Sequence, residues 1–266
     1  MRIRKFLLLI ICSSTVAVSC ASYYEQLLAG NDVDAKYKAA FGYFNKSKYI
    51  KSAKLFENLL LAVQGTAQED TVQYYMALSN YRYGDYQTAE QGFEKFIEVF
   101  PRSPFTEEAK YLRIKCLYDA TYRYELDQTP TKKAMAIINQ FMNENPGSEY
   151  YPICKTMLGE LQERLDKKNY EAARLYYNME DYKAAHYALK NVLKENADNA
   201  YREDVLYYTA LASYKYAANS IPSKQKERFM SFIDDYYNYI GEYSNTNERK
   251  ALDNLYERAQ KYTKKN

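Results

Sequence analysis

Residues 84–101 read GDYQTAEQGFEKFIEVFP. A glycine and an aspartate make a turn, Tyr86, Ala89, Phe93, Phe96 and Phe100 then recur at helical spacing, and Pro101 stops the run. The apolar residues share one face, so the stretch predicts an amphipathic helix that is stable only with that face covered. What covers it is decided by looking for the same pattern elsewhere in the chain.

A helix rich in tyrosine precedes it, with Tyr, a small or apolar residue three later and an aromatic four after that. The pattern occurs as Tyr37–Ala40–Phe44, Tyr74–Ala77–Tyr81, Tyr111–Ile114–Tyr118, Tyr170–Ala173–Tyr177 and Tyr207–Ala210–Tyr214. Tyr37 to Tyr74, Tyr74 to Tyr111 and Tyr170 to Tyr207 are each 37 residues apart; Tyr111 to Tyr170 is 59. A second helix follows each first one. Ala134, Ile138, Phe141 and Pro146 repeat the opening pattern, as do Tyr182, Ala185, Leu189 and Val192. Ile50, Ala53 and Phe56 fit with a drift of one residue, and the fifth copy is delayed past NSIPS to centre on Phe229, Phe232 and Ile233. The opening helix therefore packs on its own partner and on neighbouring pairs, in a stack whose core no unit owns alone.

These features resemble the tetratricopeptide repeat, whose signature is matched by Ala77, Gly84, Asp85, Tyr86, Ala89, Phe93 and Pro101. The implied fold is all-α, a right-handed superhelix of five helix pairs. The long gap divides into eight extra residues around YRYELDQTPT in the third unit and fourteen extra residues after Pro146. The latter carry helical spacing and predict a fourth unit whose first helix is longer by about four turns. Two lobes joined by one long helix follow, residues 35–146 (units one to three) and 147–266 (units four and five).

The N-terminus has another character. Arg2, Arg4 and Lys5 precede the apolar run FLLLIICSSTVAV, residues 6–18, and then Ser19 and Cys20. A basic start, a short apolar centre and small residues at a cut make a secretory signal, too short for a bilayer span of about 20 residues. AVSC at residues 17–20 resembles the bacterial lipobox, with Ala17 in place of the usual leucine. Residues 1–19 are thus expected to be a lipoprotein signal, Cys20 the lipid anchor and residues 20–34 a linker; a soluble exported chain with an incidental Cys20 is the alternative. Removal of the signal takes three of 37 basic residues and leaves 34 against 34 acidic ones. No basic stripe stands out, which argues against a nucleic-acid partner, and the membrane is expected to be met through the lipid anchor only.

The chain has 32 tyrosines and no tryptophan, a composition suited to half-buried and partner-contacting surfaces. Cys116 and Cys154 sit in apolar helical contexts and read as buried thiols, with a disulfide left open by the exported compartment. His186, the single histidine, follows a packing alanine and is expected on a helix surface; the acidic pairs at 107–108 and 234–235 read as solvated charges. No nucleophile triad, phosphate loop or metal-ligand spacing is present, so no catalytic residue, metal or cofactor is expected and the chain reads as non-enzymatic.

The lipobox, the five repeats, the insert YELDQTPTKKAM and the block LQERLDKKNYEAARLYYNMEDYKAAHYALKNVL together resemble the BamD family, the lipoproteins of the outer-membrane β-barrel assembly machinery. The resemblance spans Cys20 to about Lys264. It implies an outer-membrane lipoprotein facing the periplasm of a Gram-negative bacterium. Its partners would be the POTRA domains of the barrel-forming subunit BamA, nascent outer-membrane β-barrel proteins, and accessory Bam lipoproteins. Under that reading Tyr74, Tyr81, Arg82 and Tyr118 are candidates for a groove taking a substrate's C-terminal strand, the rings holding its aromatic residue and Arg82 its carboxylate. Half-buried packing is the plainer role for the tyrosines. Tyr201, Arg202, Glu203 and Asp204 are candidates for docking the barrel subunit, against a plain reading as a solvated loop. Another envelope coordination factor, or a glycan-binding partner of an outer-membrane transporter, is the competing reading.

Overall fold

The computed structural model describes residues 22–264, and the expected signal segment 1–19 and Cys20 lie outside them. Among the described residues there are twelve helices and no strand. They are α1 (Tyr23–Ala29), α2 (Val33–Asn45), α3 (Tyr49–Val63), α4 (Glu69–Tyr83), α5 (Tyr86–Val99), α6 (Thr106–Asp119), α7 (Thr129–Glu144), α8 (Tyr151–Asn178), α9 (Tyr182–Glu195), α10 (Arg202–Ala218), α11 (Pro222–Glu242) and α12 (Asn247–Thr263). This is a tetratricopeptide-like helical repeat fold.

The turns explain why the helices come in pairs. Ser47, Gly84 and Glu180 adopt positive φ, at 56°, 96° and 62°. In each, the next amide reaches back five residues: Lys48 N to Tyr43 O, Asp85 N to Asn80 O and Asp181 N to Tyr176 O, at 2.9–3.0 Å. The left-handed residue thus closes the first helix and satisfies its loose carbonyls. Asp85 and Asp181 then start the second helix, accepting from Thr88 N at 3.1 Å and Ala184 N at 3.0 Å. Only Gly84 adopts this conformation without side-chain cost, about 1 kcal/mol for other residues. Gly84→Ala is expected to destabilise by about 1 kcal/mol and Glu180→Gly to be neutral or stabilising, read as opposite shifts of urea midpoint.

The small residues mark where helices touch. Ala40, Ala77, Ala89, Ala185 and Ala210 are fully buried, and Ile114, Ala134 and Ala173 nearly so. In the first unit the expected register is off by one. Ile50 is exposed and Ala53 half-buried, whereas Ser52, 37 residues before Ala89, is fully buried. Its hydroxyl donates to Ala40 O at 3.0 Å and accepts from Ser79 Oγ at 3.1 Å. A satisfied serine takes the alanine's place, so the drift does not exist.

The chain divides into two compact units, Met1–Ala120 and Thr121–Asn266. In the first, α2 through α6 pack in sequence order, with one core around Leu55, Phe56 and Leu59 and another around Tyr74, Phe93 and Phe96. In the second, α7 through α12 do the same around Tyr170, Ala185 and Leu189 and around Phe229, Phe232 and Tyr239. The division runs through the third expected pair: α6 closes one unit and α7 opens the next, 26 residues before the boundary after Pro146 that the spacing suggests. The insert supplies a reason. Lys168 on α8 donates to the carbonyls of Tyr124, Glu125 and Leu126 at 3.1, 3.3 and 2.8 Å, and Arg164 bonds the Thr121 hydroxyl. The extra residues are fastened to α8, the 28-residue helix, which lies wholly within the second unit. Cys116 and Cys154 belong to different units and are both free and buried. Burial pushes their thiols up to about 12 and about 11, so neither is a reactive thiolate.

Candidate functional site

Successive pairs are locked by a repeated aromatic clasp. Tyr74 stacks on Phe105 with ring centres 4.5 Å apart and planes 9° apart; Tyr170 stacks on Tyr201 at 5.4 Å and 7°. Each ring meets the aromatic 31 residues later, at the entry to the next first helix. Four residues before each tyrosine an aspartate holds the same loop. Asp70 Oδ2 accepts from Ser103 Oγ at 2.9 Å. Asp166, 3% exposed, accepts from Gln162 Nε2 at 2.9 Å, Asn196 Nδ2 at 2.8 Å and Ala200 N at 3.0 Å.

This clasp decides what two sequence candidates do. Tyr74 is 2% exposed and also packs on Phe93 and Phe96, so it is a core residue and cannot present its ring to a bound peptide. Tyr201 is half-buried, and its face covers Tyr170. The remaining groove candidates reach the surface at the C-terminal ends of α4 and α6. Tyr81 is half-buried against Tyr86, at 5.7 Å, and burial followed by the nearby Asp119 carboxylate raises its phenol. Phe44 with Tyr49 and Tyr177 with Tyr182 repeat that contact, both at 5.5 Å. Tyr118 is half-buried with the Lys115 ammonium 5.5 Å from its ring, and Arg82 is exposed.

The docking candidates are gathered at the first turn of α10 and engaged there. Arg202 holds Glu242 bidentately, both contacts 2.6 Å, and donates from Nη1 to Ala197 O at 2.7 Å. Glu203 accepts from the Tyr239 hydroxyl at 3.1 Å. Asp204 is exposed, yet partial burial, opposed by Arg174, raises its carboxyl. Sequence reading missed what stands beside it. Arg174 lies over Tyr170 and Tyr208, 5.8 and 5.6 Å from the ring centres, and Glu171 and Glu248 add to the field on Asp204. Arg174 falls in a run of ordinary helix charges, with no local signal to single it out. The face sets acidic groups beside two half-buried guanidinium groups, Arg174 and Arg202, with the half-buried ring of Tyr208 under Arg174.

Residues 30–230 match the YfiO family of outer membrane lipoproteins. The chain belongs to that family. A curated relative, the outer membrane protein assembly factor BamD of Caulobacter vibrioides, is 22% identical over 129 residues, 48% of this chain and 42% of the relative. The match thus spans about two fifths of that protein's length. The family places this chain at the outer membrane. Among the described residues of this YfiO chain no helix is long and apolar enough to cross a membrane. The family match takes in the clasps, the insert and Arg202, and ends before Glu242 and α12.

Two polar residues of this YfiO chain stand elsewhere than expected. His186 and Asp235 are buried, 6% and 2% exposed, facing each other between α9 and α11 with Nδ1 and Oδ2 3.4 Å apart. Lys190 brings its ammonium to the other Asp235 oxygen at 2.8 Å. Neither is a solvated surface charge: α11 turns Asp235 inward beside Phe232 and Tyr236, and Lys190 offsets the buried carboxylate. Desolvation lowers the imidazole, outweighing the pull of Asp235. Above pH about 6.5 folded and unfolded chains both keep His186 neutral. Below it the unfolded chain binds a proton that the folded one refuses, so stability falls with pH from about 6.5. Urea midpoints at pH 7.5 and 5.5 are expected to fall in wild type and stay nearly level in His186→Gln.

Proposed function

We propose that this chain is a non-enzymatic scaffold of the β-barrel assembly machinery, tethered by acyl chains on Cys20. It binds the barrel-forming subunit BamA through its POTRA domains and receives nascent outer-membrane β-barrel proteins. Accessory Bam lipoproteins are further partners. The observation that carries the proposal is family membership over residues 30–230 in a chain built of paired helices. Unfolded barrel strands are taken by the first repeats, where Arg82 meets the terminal carboxylate and Tyr81 and Tyr118 flank the terminal aromatic ring. The barrel subunit docks at the start of α10, where Arg202, Glu203 and Asp204 gather beside Arg174. In this role the first unit, up to Ala120, takes the substrate and the second, from Thr121, docks the barrel subunit.

The test uses two charge reversals and two ligands. Arg82→Glu is expected to weaken binding of a peptide copying a barrel protein's C-terminal strand by about 10- to 100-fold, the worth of a charged hydrogen bond, in fluorescence anisotropy. Arg202→Glu is expected to weaken the POTRA domains in calorimetry and leave the peptide alone. A peptide that binds both variants equally removes the groove. A POTRA affinity untouched by Arg202→Glu removes the docking face.

A further inference from the structure

Residues 20–34, expected as a linker, instead hold α1 (Tyr23–Ala29) and the start of α2 at Val33, so little chain is left between Cys20 and the first helix. One residue, Ala21, separates Cys20 from Ser22, the cap that accepts from Glu25 N and begins α1. Two virtual bonds of 3.8 Å keep the Cys20 Cα within about 7 Å of Ser22 along any path. An acylated Cys20 therefore brings one end of the first unit to the lipid surface, and that end can be identified. Tyr24 packs on Tyr43 at 5.5 Å, under the Lys51 ammonium at 4.7 Å. Tyr23 lines a cleft of about 650 Å³ with Tyr43 and Lys46. The start of α1 is thus fixed beside the α2–α3 turn.

That turn is basic. Lys46, Lys48 and Lys51 are all exposed there. Of the nearby carboxylates, Glu57 is paired with Lys54 at 2.7 Å, Asp85 caps α5 and Asp32 caps α2, while Glu25 on α1 and Asp34, in the cleft with Lys46, are exposed. Large apolar groups surround the lysines: Tyr23, Ile50 and Tyr83 are 65%, 57% and 58% exposed. Ile50 and Tyr83 line one cleft with Tyr24. Lysines among exposed rings suit the headgroup layer, where ammonium groups meet lipid phosphates and amphipathic rings lie at the boundary.

We infer that the α2–α3 turn, with Lys46, Lys48 and Lys51, is a second membrane contact that rests on anionic phospholipid headgroups beside the acyl anchor. The inference relies on the proposed acylation of Cys20. Several acyl chains on Cys20 anchor durably by themselves; what the turn adds is orientation, fixing which end of the first unit faces the bilayer.

The test separates the patch from the anchor. The mature chain carrying Cys20→Ser is sedimented with vesicles of phosphatidylethanolamine and phosphatidylglycerol, and with neutral phosphatidylcholine vesicles, at low and high salt. Preference for the anionic vesicles, lost at high salt, is expected. Each lysine contributes about fivefold, so replacing Lys46, Lys48 and Lys51 by Gln should cut partition on the order of 100-fold. The same change at Lys155, Lys183 and Lys250, exposed in the second unit, should change it less than about twofold. Equal losses in the two triple variants, or no preference for anionic vesicles, overturn the inference. The intact mass of the chain from native membranes reports acylation independently. A chain without acyl mass overturns the anchor reading, and the vesicle result still decides the patch.

Discussion

Tyr74→Ala is expected to destabilise the first unit by about 3–5 kcal/mol, the cost of deleting a large buried ring. The change removes the stack on Phe105 and the packing against Phe93 and Phe96, and the cavity opens where two pairs share a core. Urea denaturation followed by circular dichroism should show an early transition for the first unit while the second keeps its wild-type midpoint. Tyr170→Ala should give the mirror result. A loss below about 1 kcal/mol would mean that Tyr74 is free to face a ligand, contrary to its burial.

The second large effect is expected at Asp166. Its carboxylate is buried and accepts from two side-chain amides and one backbone amide. Asp166→Ala leaves those donors unsatisfied at about 1–3 kcal/mol for each one that water cannot reach, so a total near 3 kcal/mol is expected. Asp166→Asn keeps the shape but turns a donor toward other donors, and should recover only part. Hydrogen exchange gives the sharper readout: Ala200 and the first turn of α10 should lose protection before the rest of the unit. Because the same loop carries Tyr201 and Arg202, the variant should also weaken docking without touching a docking residue.

Much of this was legible because the repeat constrains several kinds of residue at once. The Tyr–small–aromatic spacing located each first helix, and GDY at 84–86 located the turn whose backbone Ser47 and Glu180 also adopt. Other features were hidden by chemistry that a hydrophobic pattern does not carry. Ser52 is buried because Ala40 O and Ser79 satisfy it, and a search for apolar residues steps past it to Ala53. His186 and Asp235 are buried as partners across two helices, and Lys190, which makes that tolerable, lies about one turn from His186. The division at Ala120 depends on Lys168 reaching carbonyls more than 40 residues away. α12 matches no repeat position and covers the last pair with Leu252 and Ala259 alone fully buried. For the candidate site, residue type pointed to the right neighbourhoods, while accessibility did not follow from it. Tyr74 and Tyr81 are both tyrosines of one helix, and only the second reaches solvent.

Affinity purification of the chain from native outer membranes, after in-cell cross-linking, tests the central claim most directly. The account predicts recovery of the barrel-forming subunit with its POTRA domains, in amounts that fall sharply for Arg202→Glu. Recovery of other envelope proteins in full yield without that subunit would contradict it.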